Sequence, residues 1–148
     1  ERWPAYITQA IHELNTRFHW FRRVSLTSTI KYITFDCHNP LLLAEFWSAV
    51  LEYETENWPV IDGATSKPRD GGVPHIAFIK VPEAKTAKNR LHLDIQPVDG
   101  AMESEVERLV ELGATRIDVF NEPSETWTVM NDPEGNEFCV LKPRFAES

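Results

Sequence analysis

The chain has 148 residues, of which 42% are hydrophobic, and this is enough for one domain with its own core. The formal net charge is −8, and the basic part is residues 1–25, with four Arg against two Glu. Because nucleic-acid phosphates are bound by clustered Lys and Arg, the acidic remainder argues against nucleic-acid binding. The apolar runs are too short to span a membrane. Two cysteines within apolar segments favour a reducing, cytoplasmic compartment.

The first 25 residues have the pattern of an amphipathic helix. Apolar residues recur at spacings of three and four, and Pro4 suits a first helical turn. The apolar face would contain Ile7, Ile11, Leu14, Phe18 and Phe21. This segment is either a helix that packs on the domain or on a partner subunit, or an extension that belongs to a longer chain.

The next part predicts a strand, a helix and three strands. Residues 28–37 are β-branched and aromatic, which is typical of a strand. Asn39 and Pro40 predict a helix start, with Asn39 as the N-cap. The apolar face of this helix would comprise Leu43, Phe46, Trp47, Val50 and Leu51. Further strands are predicted at 53–58, at about 60–64 and at 75–81, with a turn around residues 68–72.

A polar linker at 82–89 separates this part from a second set of elements in the same order. A strand is predicted at 90–95, and Asp99 can cap a helix that ends at Gly113. Its apolar face would comprise Met102, Val106, Leu109, Val110 and Leu112. Strands are predicted at 115–120, 126–131 and 137–142, the last two joined by a tight turn at 132–136.

The order therefore predicts an α+β fold of two tandem βαβββ units, about 29–81 and 89–142, with an extra N-terminal helix and with one face of each sheet free to line a cavity or to pack on the other unit. An offset of 60 residues relates the units, because it places Tyr32 on His92, Asn39 on Asp99 and Ile79 on Cys139.

The chain resembles the glyoxalase-like branch of the vicinal-oxygen-chelate superfamily in four features. The features that carry this resemblance are the duplicated order of elements and three segments: NRLHLDI at 89–95, LVELGAT at 109–115 and NDPEGNEFCVL at 131–141. The resemblance covers about residues 29–142 and implies a cleft between the two units. Members of the superfamily commonly form dimers, so it also implies a homodimer. Many members hold one divalent metal through His, Glu or Gln side chains.

The resemblance places the four metal positions on Tyr32, Ile79, His92 and Cys139. His92 alone is of the usual ligand type, because Ile79 cannot ligate and Tyr32 would have to ionise from a pKa of about 10. Cys139 could ligate as a thiolate, which is an unusual partner for oxygen-rich sites. We therefore expect no metal at this site, although a divalent metal is the alternative.

His92 and Asp94 are the candidate catalytic residues. They are two residues apart on a predicted strand and so share a face, and a His beside a carboxylate suits proton transfer. The alternative is structural, with both side chains bound to the backbone or to Arg90 and Lys80. Candidate substrate-binding residues on the cleft are Tyr32, Ile79, Trp127, Glu137 and Cys139.

Three functions remain open from the sequence. The first is a glyoxalase-like protein that binds a small organic molecule in a metal-free cleft, with proton transfer at His92 and Asp94. The second is a metal-dependent lyase, isomerase or dioxygenase with ligands drawn from His92, Asp94, Glu137 and Cys139. The third is a non-catalytic interaction module whose helix at 1–25 docks a partner.

Overall fold

The computed structural model describes residues 28–98, 100–122 and 125–143, which form two successive units. The first unit contains β1 (Tyr32–Cys37), α1 (Pro40–Leu51), β2 (Glu54–Trp58), β3 (Gly63–Lys67) and β4 (His75–Lys80). The second contains β5 (Asp94–Ile95), α2 (Met102–Glu111), β6 (Thr115–Glu122), β7 (Glu125–Asn131) and β8 (Glu137–Leu141). The predicted α+β fold of two βαβββ units is confirmed. The predicted helix at 1–25 and the predicted cap Asp99 lie outside the described residues.

Each unit forms one four-stranded sheet with the same topology. The strand orders are β1-β4-β3-β2 and β5-β8-β7-β6. The first strand of each unit pairs in parallel with the fourth, and the other pairs are antiparallel. Because β1 and β5 each have one partner, each leaves one edge of its backbone unpaired within its sheet.

Helix α1 begins and packs as its sequence predicts. The Asn39 side chain accepts a hydrogen bond from the Leu42 N–H at 3.2 Å, and Pro40 occupies the first turn, where no N–H is needed. The helix ends at Glu52, whose backbone adopts the left-handed conformation. Its buried apolar side chains are Leu43, Ala44, Phe46, Trp47 and Val50.

Helix α2 buries a narrower face than predicted. Val106 and Leu109 are fully buried, whereas Val110 and Leu112 are 47% and 38% exposed, so their assignment to the buried face is wrong. Gly113 ends the helix as predicted. Its φ of 106° allows the Ala114 N–H to reach the Leu109 carbonyl at 3.0 Å, which satisfies a carbonyl of the last turn.

Two strands differ from prediction. The strand expected at about 60–64 is β3, three residues further on, and it has a polar sequence that hides it from hydrophobic pattern analysis. Its Thr65 and Ser66 are buried with hydrogen-bonded hydroxyls, Thr65 to the Ile76 carbonyl at 3.0 Å. The strand expected at 90–95 is paired only at Asp94 and Ile95.

The two units share one hydrophobic core. The Phe46 and Trp47 rings of α1 lie 6.2 Å and 5.2 Å from the Phe138 ring of β8. The same buried cluster continues into Val106 and Leu109 of α2. The units therefore pack as one domain through their helix-covered faces.

The predicted turn at 132–136 also ties the second unit to α1. Buried Asp132 accepts the Trp47 indole N–H at 3.3 Å and the Asn136 backbone N–H at 2.9 Å. The Glu134 carboxylate accepts the backbone N–H groups of His38 and Asn39, at the start of α1. A negative group there also suits the helix dipole. This contact between the units has no signal in the local sequence.

Strand register corrects the predicted offset of the repeat. Thr34 pairs with Ala77 in the first unit, and Asp94 pairs with Cys139 in the second. If the first strands are related by the predicted offset of 60 residues, the fourth strands are therefore related by 62. The helix starts, Pro40 and Met102, differ by 62, whereas the helix ends, Leu51 and Glu111, differ by 60. The two predicted equivalences, Tyr32 with His92 and Ile79 with Cys139, therefore cannot both hold, and the first of them makes Ala77 the counterpart of Cys139.

Candidate functional site

Each sheet has one face in the shared core and one face that its own helix leaves open. In β4, Ile76 and Phe78 belong to the core, so Ala77 and Ile79 lie on the opposite face. Tyr32 lies on this open face because it is a register partner of His75, which alternates with Ile76. Tyr32 and Ile79, which were predicted both as metal positions and as ligand contacts, therefore lie on the open face of the first sheet.

On the second sheet, one row of the open face crosses three strands. Asp94 of β5 pairs with Cys139 of β8, and Cys139 pairs with Val129 of β7. Asp94 is exposed, whereas Cys139 is only 6% exposed. Burial and the neighbouring Asp94 carboxylate raise the pKa of the Cys139 thiol to about 12. In the absence of a metal the thiol is therefore protonated near neutral pH and is a poor nucleophile.

His92 lies just before β5 and is half-buried against the linker. Its Nε2 is 3.2 Å from the Asn89 carbonyl and 3.2 Å from the Lys88 ammonium. The carbonyl requires hydrogen on that nitrogen, and the ammonium requires a lone pair there, so the two contacts favour opposite tautomers. With hydrogen on Nε2, the other ring nitrogen, Nδ1, becomes the proton acceptor.

The neighbours of His92 and Lys80 agree only in part with those expected from the structural interpretation of His92 and Asp94. His92 does contact the backbone, as that interpretation expected. Lys80, however, forms its ion pair with Asp62 at 3.0 Å on the first sheet rather than with Asp94.

Glu137 is hydrogen-bonded to the linker. Its carboxylate accepts the Asn89 N–H at 2.9 Å and lies 3.0 Å from the Lys85 ammonium. Burial opposes ionisation, but these donors outweigh it and lower the pKa of Glu137 to about 2. Glu137 is therefore a permanently charged anchor for residues 85–89, with limited capacity left for a ligand.

The predicted aromatic residues form two separate groups. The Tyr32 ring meets the rings of Trp58 and His75 edge-on, with centroids 5.9 Å and 5.2 Å away. On the other sheet, Trp127 stacks on Phe120 at 5.5 Å. Both groups offer apolar surface to a planar ligand. Ile79 is half-buried near the first group and supplies a carbonyl to the Cys37 thiol at 3.6 Å.

The structure thus brings some of the predicted site residues together. Asp94 and Cys139 are direct neighbours, and Asn89 connects His92 with Glu137. Tyr32 and Ile79 belong to the first sheet. The rings that Tyr32 meets, the thiol that Ile79 accepts and the strands with which both residues pair all belong to the first unit.

The donor set does not fit the divalent metal of the resembling proteins. The fourth-strand position of the first unit is apolar whether it is Ile79 or its corrected counterpart Ala77. Cys139 offers a soft thiol at a position where oxygen-rich sites use a carboxylate, so His92 is the one side chain of the usual ligand type among the predicted positions. Among residues 28–98, 100–122 and 125–143, no three His, Cys, Asp or Glu side chains are grouped so that they could hold a metal.

Comparison with known proteins assigns the family. The glyoxalase-like domain matches residues 32–141. The chain belongs to this family. The comparison with curated proteins finds no match. No helix in the described part of the chain has the length and apolarity required to cross a membrane.

Solved structures share the fold at low sequence identity. A glyoxalase/bleomycin resistance protein/dioxygenase family enzyme from Burkholderia phytofirmans PsJN has a TM-score of 0.63 at 18% identity, covering 77% of this chain and 98% of its own. A mutant fosfomycin resistance protein, FosX, from Listeria monocytogenes has a TM-score of 0.61 at 12% identity, covering 78% and 90%. That protein is in complex with Mn(II) and 1S,2S-dihydroxypropylphosphonic acid.

Sequence reasoning missed the residues that hold the site in place. The sequence of the linker at 82–89 suggested only a polar connection. In the structure, however, Lys85 and Asn89 contact Glu137, and Lys88 contacts His92. The available signal was charge, since this linker has basic residues within an otherwise acidic domain.

Proposed function

We propose that this protein binds a small organic molecule on the open face of its second sheet without a divalent metal, and that His92 and Asp94 transfer protons to and from it. The donor set carries this proposal, because an apolar side chain occupies one metal position and a thiol, instead of a carboxylate or imidazole, occupies another. No step of the proposed chemistry uses a metal.

The chemistry of the face indicates the class of ligand. Asp94 supplies an exposed acceptor for a donor group of the ligand. Val129 and the stacked pair of Trp127 and Phe120 supply apolar surface on the same sheet. A planar ligand with a hydrogen-bond donor at one end would use both. Tyr32 and Ile79, on the open face of the first sheet, are the further ligand contacts that we propose.

His92 is the proposed proton acceptor. Its contact with the Asn89 carbonyl would hold the hydrogen on Nε2 and leave Nδ1 to take a proton from the ligand. The linker, anchored through Glu137, would fix the position of Asn89 and therefore the orientation of the ring.

Thermal unfolding in the presence of a metabolite panel tests the proposal, using protein first treated with EDTA. A ligand at 100 times its Kd is expected to stabilise the protein by about 2.7 kcal/mol. The His92→Ala and Asp94→Ala variants should lose this stabilisation, whereas Lys142→Ala, on an exposed residue outside the face, should retain it. Failure of every compound to stabilise the protein, or stabilisation only after Mn²⁺ is added, would contradict the proposal.

A homodimer and a reducing, cytoplasmic compartment remain proposals that accompany this function. Light scattering coupled to size-exclusion chromatography would test the first, because a monomeric mass at all concentrations would contradict it.

A further inference from the structure

A cavity of about 510 Å³ lies beside the free edge of β1, away from the Asp94–Cys139 row of the open face. It is bordered on one side by residues 33–36 of β1 and on the other by residues 83–85 and 89–91. We name it the edge cavity. Its volume is within the range of small-molecule sites.

The backbone of β1 turns unpaired polar groups toward this cavity. The His75 N–H bonds to the Lys31 carbonyl, and the Val81 N–H bonds to the Cys37 carbonyl. In a parallel ladder, alternate residues bond to the partner strand, so odd-numbered residues of β1 face β4. The N–H and C=O groups of Thr34 and Asp36 therefore point to the free edge, and both residues line the cavity.

The edge cavity also has opposite charges at its two ends. Arg90 and Asp36 both line it, and neither forms an ion pair within the described part of the chain. An adjoining cavity of about 370 Å³ shares Asp36, Glu83 and Lys85 with it but not Arg90, and the Lys85 ammonium is already paired with the Glu137 carboxylate at 3.0 Å. The acidic groups therefore lie toward the end of β1, and the guanidinium lies toward its start.

From this arrangement we propose that the edge cavity is a second ligand site and that it binds a small zwitterion of the dipeptide type. The ligand carboxylate would pair with the Arg90 guanidinium, and its ammonium would lie near Asp36 and Glu83. The carbonyl of its central amide would accept the Asp36 N–H, as the carbonyl of an added strand residue does. This site shares linker residues Lys85 and Asn89 with the proposed open-face site, but His92 and Asp94 do not line it.

Nuclear magnetic resonance titration with L-alanyl-L-alanine tests this proposal on the full chain. We expect saturable amide shifts at residues 34–36 and 89–91. Arg90→Gln and Asp36→Asn should each weaken binding about tenfold or more, since each removes a charge-assisted contact. Both side chains are exposed, so the fold should survive, and a far-ultraviolet circular dichroism spectrum checks this. Lys142→Gln is the matched control and should bind normally.

A dipeptide blocked by N-acetyl and C-amide groups separates charge recognition from nonspecific contact. It should bind at least about tenfold more weakly than the zwitterion. His92→Ala should retain dipeptide binding, which keeps this proposal separable from the open-face function. Absence of saturable shifts up to about 10 mM, equal binding of the blocked dipeptide, or shifts centred on Asp94 and Cys139 would each overturn the proposal.

Discussion

In the first unit, the row across the open face is Thr34, Ala77 and Thr65, whereas the corresponding row in the second unit is Asp94, Cys139 and Val129. The strands and their pairing are the same, but the second row has an acid and a thiol where the first has a hydroxyl and a methyl group. Chemistry is therefore concentrated in the second unit, although the fold itself is duplicated.

The helices differ in the opposite sense. Helix α1 buries Trp47 and Phe46, whose rings reach Phe138 in the other unit, whereas α2 fully buries only Val106 and Leu109. The first unit thus supplies most of the large side chains of the shared core. This contrast indicates that the first unit stabilises the domain and that the second carries the candidate site.

The largest expected effect is on Trp47, which is fully buried. Replacing it by Ala should lower the free energy of unfolding by about 3–5 kcal/mol, because a large cavity forms between the units and Asp132 loses a donor. Urea unfolding measures the change. Both units should unfold in one transition, since they share one core, and two separated transitions would contradict that interpretation.

The counterpart of Trp47 at an offset of 62 is Leu109, and it offers an internal comparison. Leu109→Ala should cost about 2–5 kcal/mol through its own cavity. Exposed Glu107 on the same helix is the control, and its change to Ala should alter stability by less than about 0.5 kcal/mol.

A smaller effect is expected at Glu137, where the linker is attached. Glu137→Gln removes a charged acceptor and should cost about 2 kcal/mol at neutral pH. The pKa of Glu137 is lowered from 4.5 to about 2, so its contribution is present above pH 4.5 and is lost as the pH falls through about 2.

The Glu137→Gln variant should therefore have a weaker pH dependence of stability between those values. Unfolding curves at several pH values for both proteins give the test. Parallel profiles would show that the contacts from Asn89 and Lys85 do not stabilise the fold.

The smallest effect is expected at Glu134, the contact between the turn and the start of α1. Glu134→Ala should cost about 1 kcal/mol, as loss of a helix cap does. Glu45→Ala, on an exposed position of the same helix, is the matched control. Equal melting temperatures for the two variants would show that Glu134 contributes nothing to the contact between the units.

Much of the fold was predictable because its signals are local. Asn39 and Pro40 marked the start of α1, and Gly113 marked the end of α2. Strand β3 was misplaced because its buried hydroxyls, such as that of Thr65, resemble a polar loop in sequence. A single repeat offset of 60 residues does not hold along the whole chain. It changes by two between the first and fourth strands, since loops of different length precede the two helices.

The site was less predictable because its contacts join residues distant in sequence. His92, Asp94 and Cys139 were identified, but the pairing of Asp94 with Cys139 depends on strand register. The same is true of the Lys85–Glu137 contact, which spans the whole second unit. Sequence spacing predicts the face on which a side chain lies but not its partner.

The most direct test of the proposed metal-free site is the metal content of the tag-free protein after equilibration with Mg²⁺, Mn²⁺, Fe²⁺, Ni²⁺ and Zn²⁺ and then dialysis. Elemental analysis should find far less than one equivalent of any metal, with no difference between the natural protein and His92→Ala. Retention of one equivalent that is lost in His92→Ala would contradict the account.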